Sequence, residues 1–164
     1  MTPTVSVARS LRGAVPSTVV REVTRRLRRA AQRLSVEAES LSTLAVRIVD
    51  DAEMSRLHLT HMNLAGPTDV LSFPAGELPG ETAAAGGPLG DIVIDWHAVH
   101  RQARGPSLDA LIDETVGLAV HGLVHLLGHD HGTRAQGRAM LRLERVAARG
   151  ARLPPLRRPY GGTP

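Results

Sequence analysis

The period of the apolar positions changes several times along this chain, and each change marks an expected element. Thr4–Ala8 alternates and predicts a short strand, closed by a turn around Gly13 and Pro16. From Ser17, Val20, Val23, Leu27, Ala31 and Leu34 recur at helical spacing, while Arg21, Arg25, Arg28 and Arg29 fall mainly on the other side. That pattern predicts an amphipathic helix with a basic face. Thr43–Asp50 alternates again as a second strand, and the stretch DAEMSRLHLTHM then predicts a short helix carrying His58 and His61. After a Gly-Pro turn, Asp69–Phe73 reads as a strand, and ELPGETAAAGGPLG as a loop expected to be mobile. Asp91–Ile94 is a further strand, and Asp95 can cap a helix running to about Arg104. Pro106-Ser107 announces a long helix. A last one is expected from about Arg134 to Ala148, before a tail, LPPLRRPYGGTP, that should fray. The order β-α-β-α-β-β-α-α-α predicts an α+β fold, a small mixed sheet packed against about five helices. One domain over residues 1–150 and a Pro/Arg-rich tail over 151–164 are expected.

The long helix carries the chemistry. From Leu108 to Leu127 it is apolar at Leu111, Ile112, Val116, Leu118, Ala119, Val120, Leu123, Val124 and Leu126, so its second half should be buried all round. Into this stretch runs HGLVHLLGHDH (121–131), with four of the chain's eight histidines. His121 and His125 are four apart and share one helix face, a spacing at which two imidazoles can grip one metal ion. Ten residues separate His121 from His131, and on a continuous helix of about 100° per residue the third ring would point away. Gly128 can take the left-handed conformation that ends a helix, letting His131 fold back. Three neutral imidazoles are a recognised zinc set that leaves one coordination position open, as catalytic sites do. The expected metal ligands are therefore His121, His125 and His131, holding one Zn2+ ion. His129 is expected to point elsewhere, and His58, His61, His97 and His100 to lie at the surface. Asp130 is placed either to orient a ligand imidazole or to anchor the turn. Asp69 and Asp91 are equally open to structural roles, and no general base can be named.

Composition and charge narrow the partner. Aromatics are only 2% of the 164 residues, so the core must be built from Leu, Val, Ile and Ala. The absence of cysteine excludes disulfides and Cys-based zinc sites. No apolar run reaches the roughly 18–20 residues that cross a bilayer, and the N-terminus lacks a signal-peptide pattern, so a soluble cytoplasmic protein is expected. Residues 1–33 carry eight arginines against Glu22, and residues 132–164 eight against Glu144, whereas residues 34–131 hold four arginines and fourteen acids. Basic ends around an acidic centre suggest a polyanion.

The pattern H-x-x-x-H-x-x-G-x-x-H is shared with metzincin proteases, in which a Glu directly follows the first His as general base. Here that residue is Gly122, and a base typically contributes about 10²–10⁴-fold. Met140 fits the apolar stripe of the last helix better than a methionine turn. HG-x-x-HL-x-GHDH instead resembles the signature of the YbeY family, bacterial single-strand-specific metallo-endoribonucleases of rRNA maturation. GPTDVLSFP (66–74), LGDIVI (89–94) and the Met140/Glu144 helix agree with it, so the resemblance runs from about Val46 to Ala148. It implies zinc at His121, His125 and His131, maturation of the 16S rRNA 3′ end, and a part in ribosome quality control. The implied partners are precursor 16S rRNA and the ribosome or its small subunit, with neither DNA nor membrane. Two stretches depart from the family: His129 stands where Tyr is common, and Met62-Asn63 where an Arg-Gly pair is frequent. Arg101, Arg104 or the basic first helix could then supply phosphate contact. Either water or the RNA 2′-OH could be the nucleophile. The alternatives are a metzincin-like metalloprotease and a ribosome assembly factor with structural zinc.

Overall fold

Alternation along the strands decides which of two helical layers each side chain meets. The computed structural model describes residues 1–76 and 86–155, so most of the loop expected to be mobile and most of the tail expected to fray lie outside the described residues. The strands are β1 (Thr4–Val7), β2 (Leu44–Val49), β3 (Val70–Pro74) and β4 (Gly90–Asp95). They form one sheet in the order β1-β2-β4-β3. β1, β2 and β4 run parallel, and β3 lies antiparallel to β4 with Val70 opposite Ile94 and Ser72 opposite Ile92. The sheet is mixed, and β3 is an edge strand.

The helices among the described residues are α1 (Ser17–Arg33), α2 (Ala38–Ser42), α3 (Asp51–Met62), α4 (Trp96–Gln102), α5 (Leu108–Leu126) and α6 (Arg134–Gly150). The α+β class expected from the pattern is what the chain adopts, with six helices rather than about five. The addition is α2, five residues long and too short to show a period. On one face of the sheet Val46, Ile48, Ile92 and Ile94 meet Val19, Val23 and Leu27 of α1 and Val116, Leu123 and Leu126 of α5. On the other, Val49, Leu71 and Val93 pack with Met54 of α3 in a smaller core. Val19, rather than Val20, is the fully buried residue of the first turn of α1.

Local chemistry sets the helix boundaries. Asp50 caps α3 by accepting from Glu53 N–H, Ser107 caps α5 by accepting from Ala110 N–H, and Asp95 caps α4 as expected. Thr133 and Gln136 form a reciprocal capping box at the start of α6. Arg26 is the exception to the basic outer face of α1. It is buried, and its guanidinium donates to Ala151 O (2.6 Å), Arg152 O (2.9 Å) and Asp113 Oδ1 (2.9 Å). This one side chain ties α1 to α5 and to the end of α6, satisfying carbonyls that the helix terminus leaves unpaired.

Candidate metal centre

α5 runs against the sheet, and the closeness of that contact explains the residue after His121. A Cβ built on Gly122 would stand 2.9 Å from Ile92 Cγ2 and 3.1 Å from Ile92 Cδ1. The helix approaches β4 at a distance only glycine permits, and Ser72 of β3 donates its hydroxyl to Gly122 O at 3.2 Å. The position that bears a general base in metzincins is therefore filled by packing here, with no room for a carboxylate side chain.

The end of α5 is closed by hydrogen bonds that reverse the chain. Gly128 has φ +94°, the left-handed region. Its N–H donates to His125 O at 2.9 Å, and His129 N–H donates to Val124 O at 3.3 Å. This pair of bonds is the Schellman arrangement, in which the residue after the helix must take positive φ. Asp130 Oδ1 accepts from the His131 backbone N–H at 2.7 Å, so of its two expected roles the turn anchor is the one seen. His131 is thereby brought back beside the helix it follows.

As a result, one ring nitrogen from each of His121, His125 and His131 lies within 4.8 Å of the others. The ring centroids are 4.6 Å apart for His121–His125, 5.2 Å for His125–His131 and 6.1 Å for His121–His131. His129 is half-buried and outside this group, and His61, His97 and His100 are exposed. His58 Nδ1 is instead hydrogen-bonded to Gly66 O at 2.8 Å. Burial, then the neighbouring His121 and His131, push the His125 pKa down to about 4, which leaves that imidazole neutral with a free lone pair at neutral pH. Three nitrogen donors, mutually close and with no oxygen or sulfur among them, suit a borderline-soft divalent ion better than a hard cation.

His121 is buried, and its Nδ1 is hydrogen-bonded to Glu144 Oε1 on α6. Sequence reading placed Glu144 only as part of a motif helix and missed this contact. A signal was present: Met140, Glu144, Ala147 and Ala148 share one helical stripe, and an acid on an apolar stripe needs a partner.

The three rings face a cleft of about 360 Å³ along the edge strand β3, lined also by Met62, Thr68, Asp69, Ser72 and Asp130. No arginine appears among the described lining residues, so any arginine contact to a phosphate comes from outside this lining. Arg101 forms a two-pronged pair with Asp51 at 3.0 and 3.1 Å, and Arg104 donates to Pro155 O. Asn63, the other departing position, ends α3 at φ +54°, a left-handed conformation that asparagine tolerates better than most side chains.

Comparison with known proteins gives a consistent picture. The family model described as endoribonuclease YbeY matches residues 9–150. An endoribonuclease YbeY of Thermobifida fusca is 40% identical over 122 residues, covering 72% of this chain and 77% of that protein. One from Bifidobacterium animalis subsp. lactis is 44% identical over 106 residues, covering 63% of this chain and 58% of that protein. The chain thus spans less than two thirds of the length of the Bifidobacterium relative. The solution structure of TM1509 from Thermotoga maritima superposes with a TM-score of 0.50 at 17% identity, over 92% of this chain and 91% of that one, a likeness of fold.

Proposed function

Because the chain belongs to the YbeY endoribonuclease family, we propose that it is a zinc-dependent, single-strand-specific endoribonuclease acting in 16S rRNA 3′-end maturation and ribosome quality control. The observation that carries this reading is the convergence of His121, His125 and His131 on one side of an open cleft. In it, the three imidazoles hold one Zn2+ ion. When bound, the ion supplies Lewis acidity beside the scissile phosphate.

The protein's own residues bind and orient. His125 stays unprotonated and available as a ligand at neutral pH. Gly122 sets α5 close against β4, and the cleft that the three histidines line runs along the neighbouring edge strand β3. A single strand can splay its bases and bend its backbone to follow such an open cleft, whereas a duplex is held in a form that side chains reach less readily. Charge for the rest of the RNA comes from outside the cleft. α1 packs on α6, and both present exposed arginines, among them Arg21, Arg25, Arg28, Arg138, Arg142 and Arg145. The crowding of cations is felt by Arg29, whose pKa is lowered chiefly by Arg152 and also by Arg25 and Arg28. Such a surface suits a phosphate backbone, and RNA binding is expected to weaken steadily as salt rises.

The test is cleavage of a precursor 16S rRNA fragment beside casein, with and without a chelator. The reading predicts that the RNA is cut, the chelator stops cutting, zinc restores it and casein is untouched. Casein hydrolysis, or RNA cleavage indifferent to chelator, overturns it.

A further inference from the structure

α6 begins immediately after the turn that carries His131, and it packs back along α5. Its start is close to the third histidine: a Cβ on Gly137 would lie 3.8 Å from His131 Cβ. One turn after the buried Met140, the helix places Glu144, 2% exposed, on the same inward stripe. Burying a carboxylate is costly unless it is paired and hydrogen-bonded. Here Oε1 meets His121 Nδ1, while Oε2 is buried and has no hydrogen-bond partner. The segment beyond Gly128 therefore supplies both the third histidine and the group behind the first.

We propose that Glu144 is a positioning residue for the metal centre. A carboxylate can only accept, so the shared proton sits on His121 Nδ1, and the Nε2 lone pair is the one left for a metal. The same bond fixes the plane of the ring and raises its basicity as a ligand, as carboxylate partners of metal-binding histidines do. Because Glu144 and His131 both belong to the segment beyond Gly128, the docking of α6 becomes part of the affinity for metal. Binding of metal should in turn hold α6 in place. This inference rests on the metal reading proposed above.

The competing explanation is a buried pair that only stabilises the packing of α6, since such pairs often persist without a functional role. Glu144→Gln and Glu144→Ala separate the two. Zinc affinity is measured by competition with a chromophoric chelator, alongside the thermal midpoint of the metal-free protein and kcat and KM on single-stranded RNA. The proposal predicts a loss of zinc affinity of about 10–100-fold for Glu144→Ala. It predicts a smaller but measurable loss for Glu144→Gln, whose amide oxygen still accepts from Nδ1–H without the charge. Zinc should raise the thermal midpoint of wild type more than that of either variant, and at saturating zinc KM for RNA should be unchanged. Folded variants that bind zinc as tightly as wild type overturn the proposal, whatever their metal-free stability. If Glu144→Ala does not fold, Glu144→Gln alone decides, and wild-type affinity in it is the overturning result. Wild type that takes up no zinc removes the metal reading and this inference together. Variants that match a zinc-binding wild type remove this inference alone.

Discussion

Two buried carboxylates, Glu144 behind the histidine cleft and Asp95 at the carboxyl end of β4, are held in opposite ways. Glu144 meets an imidazole, a partner that can donate a proton to it. Asp95 is 0% exposed and caps α4, accepting from His97 N–H at 2.9 Å, but its other neighbours include a second acid, Asp51. Burial, then Asp51, push the Asp95 pKa up to about 7, while the Arg101 guanidinium pulls that of Asp51 down to about 2. Arg101 reaches Asp51 at 3.0 Å but Asp95 only at 3.7 Å. In the cleft, burial of an acid serves the orientation of a neighbour. In the acidic corner it serves a helix cap, and the cost is a group that titrates near neutrality.

If the two regions are independent, each can be broken alone. The largest effect is expected for His125→Ala, which should reduce RNA cleavage to background and abolish zinc uptake while circular dichroism stays that of a folded protein. Loss of fold together with activity would instead make the cluster structural. Next is Gly122→Ala, which pushes a methyl against Ile92 where the two regions share β4. Overpacking there should cost on the order of 1–3 kcal/mol in chemical denaturation. A neutral result would mean that α5 is free to move off the sheet.

Asp95→Asn should change pH dependence and leave cleavage alone. The folded state keeps a proton on Asp95 that the unfolded chain has released above about pH 4. Wild type therefore loses stability as pH rises from about 4 through 7. Asp51, with its pKa near 2, has already given its contribution over that range. The variant should be favoured over wild type by an amount that grows with pH, on the order of 1–2 kcal/mol at pH 8 relative to pH 5. This is less than the full linkage value because Asp95 and Asp51 titrate as a pair, so the proton change is shared between them. Parallel pH dependences for the two proteins would contradict this picture of the corner. The smallest effect belongs to Glu22→Gln, which removes the exposed pair with Arg25 at 2.6 Å. No resolvable shift of the thermal midpoint is expected, and a large one would show that surface pairs on α1 matter more than their solvation allows.

What the sequence made legible follows from the range of each interaction. The three-histidine geometry is local: ten residues, one glycine and helical periodicity suffice to bring the rings together, and the left-handed Gly128 appears where the pattern needs it. The class of fold was legible because alternating and helical periods are long enough to count. The strand order was not, since the pairing of β2 with β4 depends on how helices cover both faces. Glu144 escaped because its partner lies 23 positions away and only the packing of α6 on α5 joins them. The partner of Arg101 was hidden for the same reason: a charge count cannot show that Asp51 holds it from 50 positions away. Gly122 was legible as a missing base, but its cause, the contact with Ile92, exists only in the folded chain.

The central claim is that the histidine cluster makes RNA cleavage depend on one metal ion. It is tested most directly by stripping the protein of metal and titrating zinc back while cleavage of a single-stranded rRNA fragment is followed. The account predicts no cleavage by the stripped protein and a recovery that saturates at one ion per chain. Full cleavage by a folded, metal-free protein would contradict it.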